Sequence, residues 1–331
     1  MISDDFRKLK MLDWLVNDLQ LPVSNCEPAS SDASFRRYFR ITLPDSQLIV
    51  MDAPPEKENV STFVKVAHLF KDSEIKIPRI FQENLSDGFL LLEDFGTTSF
   101  LEKLTTDSAQ TLYGQALNSL FNLQTKTVFK ANELPHYDKA LLERELGIFT
   151  EWFIQNKCNV KLSDILWRKV CDTLIQSALE QPTTCVHRDY HSRNLMVLSD
   201  SHIGILDFQD AVIGPITYDL VSLLRDCYVA WPQVQIELWL GQYFDKLTHS
   251  NTISCDRLTF TRWFDLMGMQ RHLKAIGIFS RLDIRDGKSG YLKDIPRTLN
   301  YVTSQTQKYP EFAEFSDFIR SKILSDYPYQ P

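Results

Sequence analysis

Apolar residues recur at helical steps from the start of the chain. Phe6, Leu9, Leu12, Val16 and Leu19 share one face, and Pro22 supplies a stop. The texture then changes. Segments 34–43 and 47–53 concentrate aromatic and β-branched residues on either side of Pro44, Asp45 and Ser46, which predicts two strands joined by a turn. The helical period returns in 58–72, with Val60, Phe63, Val64, Ala67 and Phe70 on one side, and further strands are expected at 79–83 and 88–93. An order β-β-β-α-β-β describes a small lobe of mostly antiparallel sheet with one packed helix.

From Ser99 onward the periodicity is that of long helices, at 107–125, 138–156 and 164–180. Short strands interrupt it at 195–198 and 203–206, and beyond Asp219 the pattern is helical almost to the end. No internal repeat or long Gly/Ser linker breaks the chain. The expected architecture is α+β in two lobes, β-rich over residues 1–96 and mostly helical over 97–331. The join falls at Glu93-Asp94-Phe95-Gly96.

Composition sharpens this only in places. A length of 331 residues suffices for two lobes with a substantial core. The net charge of -7 argues against a nucleic-acid partner, and it means that any anionic nucleotide must be met by a metal or by a few well-placed cations. No apolar run is long enough to span a bilayer, and the opening residues lack the apolar core of a signal peptide, so a cytoplasmic monomer without a membrane partner is expected. Six cysteines, at 26, 158, 171, 185, 227 and 255, form no CxxC pair and read as separate thiols of a reducing compartment.

The chemistry concentrates in His187-Arg188-Asp189-Tyr190-His191-Ser192-Arg193-Asn194 and, after a short apolar strand, Asp207-Phe208. Phosphoryl transfer has a loose transition state, so a protein mainly positions the acceptor hydroxyl and neutralises spreading negative charge. That demands an acidic group beside the hydroxyl and oxygen ligands for Mg²⁺ beside the phosphates. HRD-x-x-x-x-N sets Asp189 toward the acceptor and turns Asn194 back to offer a side-chain oxygen, while Asp207 brings a second, charged ligand. Each of the three, taken alone, also reads as an ordinary turn or strand-end residue. The ordered combination downstream of a β-rich lobe is what selects the catalytic reading.

The stretch HRDYHSRNLMV, followed by ILDFQDAVIGPITYDLVSLLRD, closely resembles the aminoglycoside and choline kinase-like phosphotransferases, which share the two-lobed protein-kinase fold. Residues 90–96 also look like that family's inter-lobe hinge. The resemblance implies ATP in the cleft, its adenine edge bound by the backbone near Glu93, Asp94 and Phe95, and Asp219 bracing the catalytic loop. A narrower resemblance runs through residues 29–40, 50–55 and 270–274. These are similar to the N-acetylmuramate/N-acetylglucosamine anomeric kinases of bacterial cell-wall recycling, which implies an amino sugar substrate and a sugar 1-phosphate product.

The pattern departs from protein kinases in lacking a Gly-rich loop, a strand lysine and an A-P-E-like segment after Asp207. The phosphate-covering turn would fall on residues 30–34, with Ser31 and Ser34 offering hydroxyls and backbone N–H groups. Position 51 or 52 should hold the lysine and holds Met51 or Asp52 instead, so Arg36 or Arg37 is the expected phosphate-side cation; a basic edge strand is the alternative. On the substrate side, Arg271, His272, Lys274, Arg281, Arg285 and Lys288 form a basic stretch. It reads either as a solvated helix face or as a source of a carboxylate-binding arginine. Trp231, Trp263 and Tyr291 are candidates to stack on a sugar ring. Arg225, His272, Arg281 and Tyr291 are the expected sugar contacts. A kinase for an aminoglycoside, choline or another amino alcohol is the alternative enzyme, and a nucleotide-binding pseudokinase the alternative without turnover.

Overall fold

The computed structural model describes residues 5–30, 35–127, 133–199 and 202–329. Helix α1 (Phe6–Asp13) starts where the Asp5 carboxylate accepts the Lys8 N–H at 3.1 Å, and it continues in a wider turn to Asp18. Strands β1 (Asn25–Ser30), β2 (Arg37–Thr42) and β3 (Gln47–Asp52) follow; then helix α2 (Val60–Phe70), β4 (Ile80–Asn84) and β5 (Phe89–Glu93) complete the small lobe. The sheet is antiparallel throughout, in the order β1-β2-β3-β5-β4. The β-β-β-α-β-β order expected from the sequence is present, although the two segments read as strands ahead of the helix are β2 and β3, and β1 was not among them.

Side-chain alternation divides the sheet between two cores. Val50, Phe89 and Leu91 point to Met11, Trp14 and Leu15 of the opening helical segment. Met51, Leu90 and Leu92 point the other way, to Val60, Phe63, Val64 and Phe70. A one-residue slip in β3 or β5 would exchange the two faces and send each apolar set into the other core. Gly88, before β5, has φ +77°, and a Cβ there would sit 1.9 Å from the Ala53 carbonyl oxygen, so only glycine fits.

The second lobe is built on α3 (Phe100–Lys103), α4 (Thr106–Lys126), α5 (Lys139–Ile148, extended by wider turns to Lys157) and α6 (Asp164–Leu179). Four short strands come next: β6 (Thr183–Val186), β7 (Leu195–Val197), β8 (Ile203–Ile205) and β9 (Val212–Pro215). The pair β7–β8 is the one read from the sequence, whereas β6–β9 is not. Helices α7 (Tyr218–Leu224), α8 (Gln233–His249), α9 (Arg257–Asp286), α10 (Ile295–Lys308) and α11 (Ala313–Lys322) finish the chain. The 30-residue α9 runs through the lobe's core and ends at Gly287, whose left-handed φ of +66° closes the helix.

The two strand pairs hold the chemistry. Segment 187–194 links β6 to β7, and Asp207 follows β8, so both loops emerge side by side beneath the small lobe.

Candidate active site

The loop from His187 to Asn194 is held by hydrogen bonds from beneath. The Asp219 carboxylate, at the start of α7, accepts the His187 N–H at 2.6 Å and the Arg188 N–H at 3.0 Å. Asp226 accepts the Ser192 N–H at 2.8 Å. His187 donates through Nε2 to the Leu206 carbonyl at 3.0 Å and accepts the Asp189 N–H on Nδ1 at 3.2 Å. Burial pushes this imidazole down to about 4, so it stays neutral and keeps that tautomer. The Leu206 N–H in turn donates to the Asn194 carbonyl at 2.9 Å, which ties the loop to the segment carrying Asp207. Arg188 (φ +77°) and Asp207 (φ +61°) both occupy the left-handed region without being glycine, a strain that clusters at working sites.

These ties bring Asp189, Asn194 and Asp207 to one cavity of about 670 Å³ between the lobes, lined on the hinge side by Glu93, Asp94 and Phe95. Burial would push the Asp189 carboxyl up, but Lys274, His191, Arg188 and Arg271 outweigh it and hold the group below its ordinary value. Two of those cations share a buried counter-ion, since Glu145 takes Arg188 at 2.5 Å and Lys274 at 2.9 Å. Asn194 donates its amide N–H to the Asp189 carbonyl at 3.0 Å, so its side-chain oxygen is the end left for a ligand. A larger groove of about 1120 Å³ runs behind the hinge, past Lys71, Arg79 and Lys103, and includes none of the three residues.

The hinge is clamped. Arg40 of β2 reaches Asp94 with two nitrogens, at 2.5 and 3.0 Å, and the Gly96 carbonyl at 2.9 Å. The Glu93 N–H donates to the Arg79 carbonyl at 2.9 Å. Phe95 lies on Gly204, where a Cβ would come within 2.6 Å of the ring.

Of the two adjacent arginines, the structure brings only one to the site. Arg36 stands 3.4 Å from Asp207 and 3.9 Å from Glu58, which lies just before α2. Arg37 faces the other way and pairs with Asp5 and Asp52. Asp52, at 0% exposure, also takes Arg7 at 2.8 Å. The strand position where a lysine was sought thus fastens the opening helix to the sheet. Ser31 and Ser34 lie outside the described residues.

The expected sugar contacts need correction. Arg225 is 2% exposed, donates to Asp265 at 2.7 Å and lies over the Phe264 ring. His272 is 0% exposed; its Nε2 bonds the Arg225 carbonyl at 2.8 Å and its ring stacks on Tyr301. Both belong to the core, and burial pushes His272 down to about 3. Arg281 is half-buried and lies outside the cavity lining, whereas Tyr291 is in it. The basic stretch on α9 is accordingly not one face, with Arg271 buried, Lys274 ion-paired and Arg285 on the surface beside Asp286. Trp231 and Trp263 bond Tyr113 and Glu180 instead of lining the cavity. Sequence reasoning missed Arg193 and Tyr228, which do line it. Only Arg193's place inside the motif hinted at a role.

Residues 25–250 match the phosphotransferase enzyme family. The chain is 43% identical over 334 aligned positions to the N-acetylmuramate/N-acetylglucosamine kinase of Pseudomonas aeruginosa, covering 97% of this chain and 98% of that one. It is 38% identical to the protein of the same name from Neisseria meningitidis, covering 93% of each. Among solved structures, the choline kinase LicA from Streptococcus pneumoniae superposes with a TM-score of 0.66 at 12% identity, covering 90% of this chain and 99% of that one. The ADP-bound aminoglycoside phosphotransferase APH(2'')-Ib gives 0.60 at 14%, with 90% and 97% covered. The low identities make these two a likeness of fold, and that fold is the kinase-like pair of lobes expected. The matched span takes in more than half of the sequence, including Asp189, Asn194 and Asp207, and the chain belongs to the phosphotransferase enzyme family.

Proposed function

We propose that this phosphotransferase moves the γ-phosphate of ATP to the anomeric hydroxyl of N-acetylmuramate or N-acetylglucosamine, as a step in the recycling of peptidoglycan. The observation that carries this reading is end-to-end similarity to kinases of that name, with Asp189, Asn194 and Asp207 gathered at one cavity. Asp189 orients the anomeric hydroxyl and takes its proton. The hydroxyl at an anomeric carbon is more acidic than an ordinary alcohol, so a carboxylate held below its usual range is still an adequate base. The reading extends to a cytoplasmic monomer; no helix among the described residues is long and apolar enough to cross a membrane.

The donor set fits Mg²⁺. Asn194 and Asp207 offer only oxygen, and no group of three or more His, Cys, Asp or Glu gathers among the described residues, so an ion there would complete its shell with phosphate oxygens and water, as Mg²⁺ does. When bound, it would neutralise charge on the phosphates. Arg36, beside Asp207, takes the part of the missing strand lysine. Arg36→Ala is therefore expected to weaken ATP roughly 10-fold or more, the worth of a charge-assisted contact, while adenosine affinity changes little. Equal losses for the two ligands in calorimetry would make Arg36 a structural residue.

The product decides the assignment. With either sugar, phosphorus NMR with proton coupling is expected to show phosphate on the anomeric carbon and the reducing end lost. A 6-phosphate, or no turnover of either sugar beside rapid turnover of choline or an aminoglycoside, would overturn the sugar reading and leave the kinase chemistry standing.

A further inference from the structure

Among the described residues two arginines line the cavity, and they differ in what they already hold. Arg40 is spent on Asp94 and the Gly96 carbonyl. Arg193 is not. Its guanidinium carbon lies over the Tyr228 ring, 3.6 Å from the centroid, with the Tyr291 ring at 5.7 Å. Its sole ion-pair neighbour among the described residues is Asp294, at 3.9 Å, beyond hydrogen-bond reach; Asp294 is itself 3.3 Å from Arg297. The side chain is 37% exposed, so a planar fork of donors faces the cavity from a fixed seat.

The seat is registered to the chemistry. Asp226 accepts the Ser192 N–H with one oxygen and the Tyr228 N–H with the other, each at 2.8 Å, which fixes the aromatic platform relative to the catalytic loop. Tyr291 stacks on Phe279 of α9 at 5.7 Å, and Phe279 lies against Tyr228. Arg193 follows Asp189 by four residues in the same loop and lines the same cavity. Holding the guanidinium on two rings lowers the entropy lost on binding and leaves its edge to meet a carboxylate with two parallel hydrogen bonds.

We infer that Arg193, seated on Tyr228 and Tyr291, is the specificity-determining residue that reads an acidic substituent on the acceptor sugar. The substrate class is an amino sugar bearing a carboxylate near its reducing end. This rests on the sugar reading above and deepens it. N-acetylmuramate differs from N-acetylglucosamine by a lactyl ether whose carboxylate is the only formal charge, so the two sugars form a matched pair for the test. The basic stretch of α9 offers no equivalent within the cavity lining, because its cations are buried, ion-paired or outside it.

Steady-state kinetics of the full chain, with ATP and each sugar, tests the idea. Arg193→Gln is expected to lower kcat/KM for N-acetylmuramate about 10- to 100-fold more than for N-acetylglucosamine, as loss of hydrogen bonds to a charged group implies. Arg193→Lys should fall between, since it restores the charge without the fork. The carboxamide analogue of N-acetylmuramate should be a poor substrate for the wild type and lose little more in Arg193→Gln. An unchanged ratio between the sugars, whether both fall together or neither does, would overturn the inference while the sugar reading stands. If Arg193→Gln does not fold, the wild type decides alone: equal kcat/KM for the acid and its carboxamide would overturn it. Turnover of neither sugar by the wild type would end the sugar reading and this inference together.

Discussion

Asp189→Asn is expected to lower kcat by roughly 10²–10⁴-fold, the usual contribution of a positioned acid or base, while nucleotide affinity survives. The substitution keeps the side chain's shape and removes both its charge and its basicity. The loop's supports involve other groups: Asp219 and Asp226 accept backbone N–H groups, and His187 and Asn194 bond the backbone of Asp189 rather than its carboxylate. A fall in kcat without collapse of the site therefore reports the carboxylate itself. An anomeric hydroxyl makes a modest demand on a base, which favours the lower part of that range. The pH profile gives a second reading. Neighbouring charges hold the Asp189 carboxyl below its ordinary value, so its ionised form persists through neutral and mildly acid pH, and the acid limb that belongs to Asp189, absent in Asp189→Asn, should lie below the usual carboxylate range. Near wild-type turnover in Asp189→Asn would remove Asp189 as the base.

How much of this was legible in the sequence depends on how local each signal is. β3 and β5 were readable because each is a short, nearly continuous apolar run, as a strand buried between two cores requires. β1 was not, since Asn25–Ser30 carries Pro28 and no alternation; only its pairing with β2 makes it a strand. Asp189, Asn194 and Asp207 could be singled out because HRD-x-x-x-x-N and the Asp-Phe that follows lie close together along the chain, and the fold brings all three to one cavity. The substrate side was misread for a physical reason. A charged residue in a sequence does not disclose its partner, and Arg225 and His272 find theirs in Asp265 and Tyr301, well separated along the chain. Arg193 is the converse case, a loop residue whose seat is built by Tyr228 and Tyr291 from later segments. Arg36 and Arg37 could not be told apart until the small-lobe register put one beside Asp207 and the other beside Asp52.

That division bears on the second large effect, loss of the metal response on removing Asp207. Asp207→Ala is expected to abolish the tightening of ATP by Mg²⁺, a contribution of roughly 10-fold or more if the lost contact is charge-assisted. In the wild type the Asp207 carboxylate faces the cavity, accepts the Gln209 amide at 2.9 Å and sits 3.4 Å from Arg36. Without a divalent ion this carboxylate repels the phosphates and competes with them for Arg36. The sign of the metal-free arm is therefore opposite: Asp207→Ala should bind ATP in a chelating buffer at least as tightly as the wild type does. A misfolded site cannot give that result. Alanine at φ +61° adds a strain of about 1–2 kcal/mol, so Asp207→Asn is the companion variant, because asparagine tolerates the left-handed region and still lacks the charge. Isothermal calorimetry of ATP binding, with Mg²⁺ and with chelator, supplies both arms. A metal effect of unchanged size in both variants would move the ion to other ligands and leave Asp207 a loop residue.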